Sequence, residues 1–240
     1  MRPPAQGGPQ AAVPIKVLSS NGVRAALCEL GPQFEHATRH RLAIRFDVAQ
    51  LLKAQILGGE AFDVAILTEP ATDELLKAGR IVAGTRRDIA RSGIGVAIRA
   101  GAPKPDIGTV EAFKRVLLGA ESVANTTQGA SGIYFAGVLE RLGIAEQMKP
   151  KSRVQAGGLV AEMVARGLAE LAVQQISELL PVAGVELVGP FPPELQNFTV
   201  FSAGVGTDTG DSEAAYALIR FLTGPAAAPI IKAKGMEPAD

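Results

Sequence analysis

At 240 residues and 24.9 kDa the chain has room for one large domain or for two lobes of about 100 residues each. Its 24 Lys and Arg balance 24 Asp and Glu, which leaves no basic excess for nucleic acid or an anionic membrane surface. No apolar run approaches the ~20 residues of a membrane span, and one cysteine (Cys28) with two histidines (His36, His40) excludes an intrachain disulfide and leaves a zinc site short of ligands.

Residues 1–13 (MRPPAQGGPQAAV) are rich in Pro, Gly and Gln and read as a disordered tail. They lack the apolar core of a secretory signal, so the chain is read either as cytosolic or as one whose signal has been removed. Short apolar runs then alternate with amphipathic ones. The strand Ile15–Leu18 precedes a helix over Val23–Phe34, Leu42–Phe46 precedes Leu51–Leu57, and Phe62–Leu67 precedes Thr72–Ala78. A second series runs through Gly93–Ile98, Glu111–Leu118, Ser122–Ala124, Ile133–Leu142, Leu159–Ala165, Leu171–Val173 and Glu186–Val188. The chain closes with the strand Phe198–Val205 and a helix from Asp211 to Leu222, stopped by Gly224-Pro225.

Strands alternating with helices at this pitch predict an α/β fold with mostly parallel sheets covered by helices. Two such series predict two lobes: 14–90 plus 204–240, and 91–203, the second including the crossing segments. Two crossings between lobes permit hinge closure over a ligand. A single doubly wound domain is the competing arrangement.

The polar residues follow the strands. Ser19-Ser20-Asn21-Gly22 comes after the first, Asn125 to Gly132 after Ser122–Ala124, and Gln174-Gln175 after Leu171–Val173, with Ser177 as a natural N-cap. Ligands of open α/β sheets bind beyond the carboxyl ends of strands, where helix N-termini present free N–H groups. Capping of the helices accounts for any one such junction, whereas three together point to an anion cleft. Arg91 is the candidate counter-charge. Glu69 is a weak candidate general base, with an ordinary first-turn acid as its bland reading. No phosphate loop, nucleophile elbow or His-Glu-x-x-His helix occurs, and Gly204–Gly210 reads as a turn. A triad around Ser131 lacks a placed histidine, and Cys28 falls on the apolar side of the first helix, where a buried, inert thiol is expected.

The segments Val17-Leu18-Ser19-Ser20-Asn21-Gly22-Val23, Phe62-Asp63-Val64-Ala65-Ile66, Gly129-Ala130-Ser131-Gly132-Ile133-Tyr134 and Phe221-Leu222-Thr223-Gly224-Pro225-Ala226-Ala227 resemble the molybdate-binding, type 2 periplasmic solute-binding proteins, from Ile15 to about Met236. The resemblance implies two α/β lobes joined by two crossing strands, no cofactor, a small anionic ligand and an ABC permease as partner, in the periplasm. Carried onto this chain, it implies ligand contacts from Ser20, Asn21, Gly22, Gln50, Thr127, Ser131, Gly132 and Gln175, with Arg91 compensating charge. Three positions depart from the family pattern. Asn21 stands where a serine caps the first helix, Asp47-Val48-Ala49-Gln50 lacks the second serine, and Gln175 replaces a tyrosine. The partly kept oxyanion shell therefore suits an organic carboxylate as well as a molybdate-like oxyanion. An isomerase acting on trans-aconitate shares the fold, so allylic isomerisation of an unsaturated polycarboxylate is the enzymatic alternative. A cytosolic ligand-sensing module, like the effector domain of LysR-type regulators, is the third reading; without a helix-turn-helix before Ile15, nucleic acid is not an expected partner.

Overall fold

A computed structural model describes residues 13–239; of the tail expected over 1–13, only Val13 falls inside the described residues. The chain begins with three strand–helix units: β1 (Ile15–Ser20) and α1 (Arg24–Thr38) joined by a 3-10 turn at Asn21–Val23, β2 (Leu42–Asp47) with α2 (Ala49–Leu57), and β3 (Val64–Thr68) with α3 (Glu69–Lys77). The long β4 (Arg87–Arg99) leads to α4 (Val110–Gly119), β5 (Val123–Thr126), α5 (Ala130–Arg141), α6 (Ala145–Met148) and β6 (Ser152–Gln155). Then come α7 (Ala161–Ala165), β7 (Leu171–Gln175), α8 (Ile176–Leu179), β8 (Val185–Pro190) and β9 (Phe198–Val205). The chain ends with α9 (Ser212–Leu222), α10 (Ala228–Ala233) and β10 (Glu237–Pro238).

The strands lie in the order β2-β1-β3-β9-β4-β7-β5-β6, with β8 and β10 also on β4. Strands β1, β2 and β3 are parallel to one another, as are β5, β6 and β7, and each set is the sheet of one lobe. Strand β4 belongs to both. Its first half, to Gly93, pairs with β9, and its second half, from Ile94, pairs with β7 and β8. The cores divide at the same place. Val17, Leu30, Phe34, Ile66, Phe201 and Leu218 pack in one lobe, and Ile94, Phe113, Phe135, Val138, Leu171 and Phe191 in the other. Each such buried side chain contributes about 1.5–3 kcal/mol.

The two-lobed α/β architecture with mostly parallel sheets is the one the sequence predicts. Strand β9 pairs with β3 and β4, and Phe201 and Ala203 enter the core of the first lobe, whereas the core of the second lobe reaches Leu195. The crossing point is clamped by glutamines. Gln196 accepts from the Ile94 N–H at 2.8 Å and donates to its carbonyl at 2.9 Å. Two local expectations fail. Cys28 is exposed, because the buried stripe of α1 runs through Ala26, Leu27, Leu30 and Phe34. Ser177 lies inside α8 rather than capping it, and its N–H is taken by Ser92 Oγ at 3.3 Å.

Candidate functional site

The carboxyl ends of both parallel sets face one another across a partly open cleft of about 60 Å³. Ser20, Asn21 and Gly22 reach it after β1, Val48, Ala49 and Gln50 after β2, and Thr68 from β3. From the other lobe come Thr126, Gln128, Gly129, Ala130 and Ile133 around the start of α5, Gly157 and Gly158 after β6, and Gln174, Gln175 and Glu178 around α8. The lobes touch here: a methyl group on Gly157 would overlap the Val48 side chain, so only a residue without Cβ lets them approach this closely. Likewise, Gly22 lies against the Phe201 ring too tightly for a side chain.

The helices that open on the cleft are uncapped. No side chain caps α2, whose N-cap is Val48, or α5, whose N-cap is Gly129. The first helical bonds are Leu52 N–H to Val48 O and Ile133 N–H to Gly129 O, so Ala49–Leu51 and Ala130–Gly132 offer N–H groups without helical acceptors. Capping is the competing reading for the junctions after β1, β5 and β7: it applies at the first, where Ser20 caps the 3-10 turn, and no side chain caps α5 or α8. Only Ser20 acts locally, accepting from the Gly22 N–H at 3.4 Å. Asn21, Gln50 and Gln128 line the cleft, and their side-chain amides have no hydrogen-bond partner among the described residues. Thr126 Oγ1 is buried there, also unpartnered.

Two cleft glutamines are occupied elsewhere. Gln174 accepts from the Val160 N–H at 3.0 Å and donates to the Gly158 carbonyl at 2.7 Å, fixing the loop in which Gly158 adopts φ +89°. The amide orientation of Gln175 that satisfies all its neighbours has Nε2 donating to the Ser92 and Gly93 carbonyls, at 2.9 and 3.2 Å, and Oε1 accepting from Thr199 Oγ1 at 2.6 Å. Gln175 therefore braces the crossing strands. This corrects the expectation that its amide donates to a ligand.

Of the residues singled out in the sequence, Ser20, Asn21, Gly22, Gln50 and Gln175 meet in the cleft, joined by Thr126, Gln128, Gly129, Ala130 and Gln174 of the polar segments, whereas Thr127, Ser131, Gly132, Arg91 and Glu69 do not line it. Ser131 and Gly132 are buried in the first turn of α5 and do not line the cleft, and their N–H groups have no helical acceptor. The Thr127 N–H continues the β5–β6 ladder to Gln155 O at 2.9 Å, and its side chain is exposed. Arg91 is not a cleft residue. It faces solvent on β4, its cross-strand partner on β10 is Glu237, and the two side chains pair at 2.6 Å, with the guanidinium over the Phe198 ring. Glu69 is an ordinary first-turn acid, bonded at 2.9 Å to Arg86, which also holds Asp73 and Asp88.

The carboxyl at the cleft is instead Glu178, on α8. It is 9% exposed, and burial pushes its pKa up to about 8, with the Gln175 backbone N–H pulling the other way. Its signal in Gln175-Ile176-Ser177-Glu178-Leu179 was slight, because Ser, Glu and apolar residues mix in any short amphipathic turn.

The comparisons with known proteins agree with this architecture. Residues 15–237 match the family model of the bacterial extracellular solute-binding proteins. An aconitate isomerase of a Pseudomonas species is 35% identical over 230 residues, covering 93% of this chain and 87% of that protein. The molybdate-binding protein ModA of Azotobacter vinelandii is 30% identical over an alignment of 242 residues, covering 93% and 90%. In structure, the chain is similar to the periplasmic molybdate-binding protein of Azotobacter vinelandii, with a TM-score of 0.80, 23% identity and 94% and 100% coverage. It is also similar to the sulfate-binding protein SubI of Mycobacterium tuberculosis, with a TM-score of 0.77, 14% identity and 94% and 87% coverage. Matched along nearly its whole described length, this chain belongs to the bacterial extracellular solute-binding protein family.

Proposed function

We propose that the chain closes its lobes over a small anion, a carboxylate or an oxyanion, and delivers it in the periplasm to an ABC importer. The observation that carries this reading is the convergence of uncapped N–H groups on α2 and α5 with the free amides of Asn21, Gln50 and Gln128. Helix N-termini attract negative charge, and several neutral donors distribute compensation over an anion without a lysine or arginine. Ser131 and Gly132 contribute through their N–H groups. Among the described residues, no helix is long and apolar enough to cross a membrane, and this reading assigns passage through it to a permease.

The test is isothermal titration with molybdate, tungstate, sulfate, trans-aconitate and citrate. The expected result is saturable heat with one of them at one site per chain, and no heat with any removes the reading.

A second reading is supported by the buried Glu178 and by the Pseudomonas relative named aconitate isomerase. In it, the Glu178 carboxylate removes a proton from a carbon beside a substrate carboxylate, and the double bond shifts. The same carboxyl then returns the proton to the far allylic carbon. A carboxyl poised near neutral pH suits both halves of the step. Proton NMR of trans-aconitate in deuterated buffer separates the readings: isomerisation with deuterium entering the allylic carbons supports the enzyme, and unchanged substrate supports simple binding.

A further inference from the structure

Among the described residues that line the cleft there is no Lys, Arg or His, and Glu178 is the one acidic side chain. A buried carboxylate and an anion in so small a space repel each other, and no cation among the lining residues offsets that. We propose that Glu178 is a specificity-determining donor of the anion site, taking part only in its protonated form and giving its O–H to the ligand. Each anion bound at alkaline pH then brings one proton with it. The inference rests on the anion-binding reading and adds to it a coupling between ligand and proton.

The surroundings of α8 favour this. Burial keeps the carboxyl protonated to about pH 8, opposed only by the Gln175 N–H. Charged groups on the elements packed against α8 are engaged elsewhere. On α1, Arg24 lies over the Phe46 ring and Glu29 pairs with Lys234. On β4, Arg91 pairs with Glu237, Asp88 with Arg86, Arg87 donates to the Gly84 carbonyl and Arg99 to the Ala165 carbonyl. Glu186 on β8 pairs with Lys104. None of them contributes to the shift of Glu178. An anion that accepts the O–H raises the affinity of Glu178 for its proton further, and the same linkage makes alkaline pH expel the anion.

The experiment is isothermal titration of the full chain with molybdate, sulfate and trans-aconitate, from about pH 7 to about pH 9.5, in pairs of buffers with different ionisation enthalpies. For the anion that binds, Kd rises about tenfold per pH unit above about pH 8, and proton uptake approaches about one per site. Glu178→Gln removes both the slope and the uptake. The Glu178 carboxyl carbon, followed by NMR in the wild type, titrates with the same midpoint, which keeps the test decisive if the variant does not fold. A flat wild-type profile, or a slope that persists in Glu178→Gln, overturns the inference while leaving the anion reading intact. Absence of binding by all three, and by tungstate and citrate, at about pH 7 overturns the anion reading and this inference with it.

Discussion

Gly132→Ala lowers the stability of the protein by about 3 kcal/mol. The new methyl group falls onto the backbone carbonyl oxygen of Thr126 and lies 2.6 Å from its Oγ1. Thr126 is the last residue of β5 and is paired with Gln155 of β6, while β7 holds the start of the strand, so its carbonyl can withdraw only by disturbing the sheet. Relief requires α5 to lift from the sheet, which uncovers Phe135, Val138 and Leu139 in the core of the second lobe. Gly137 is the control on the same helix, because a methyl group there meets nothing within 4 Å. Gly137→Ala should stabilise by about 1 kcal/mol through helix propensity alone. Urea unfolding reads both, with a lower midpoint for Gly132→Ala and a higher one for Gly137→Ala. A midpoint unchanged by Gly132→Ala would show that α5 does not approach β5 this closely.

The second large effect is on stability against pH. The Glu178 pKa lies at about 8 in the folded protein, against an ordinary value of 4.5. Between these values the unfolded chain releases this proton while the folded one keeps it, so the folded state binds more protons and stability falls as pH rises. The loss begins near pH 4.5, is complete just above about pH 8, and amounts to about 5 kcal/mol at most. Glu178→Gln cannot ionise and escapes it. Thermal unfolding across this range should show the variant gaining on the wild type steadily and exceeding it above about pH 8. Parallel curves would place Glu178 in contact with water or a cation.

The alternation of strands and helices was legible because the parallel strands are buried on both faces. Val64 to Leu67 is apolar throughout, and its helix follows at once. Strand β6 left no such trace: Ser152-Arg153-Val154-Gln155 is an edge strand, and its single apolar residue is exposed. The cleft was legible where it depends on chain order, since every parallel strand delivers its next residues to the same side. That brought Ser20, Asn21, Gly22 and Gln50 together. It failed where a side chain finds a partner remote in sequence. Arg91 is captured by Glu237, Glu69 by Arg86, and the Gln175 amide by carbonyls of β4. Glu178 escaped for the opposite reason, because its environment is set by packing of α8 against the first lobe, which no local pattern encodes.

That neutral donors alone hold an anion between the lobes is tested most directly at Asn21, a cleft residue whose amide has no hydrogen-bond partner among the described residues. Isothermal titration compares Asn21→Ala with the wild type, using the anion that binds most tightly. Loss of one hydrogen bond to a charged ligand weakens binding tenfold or more, at about 1.5–3 kcal/mol, with thermal stability nearly unchanged. An unaltered Kd in the variant would contradict the account.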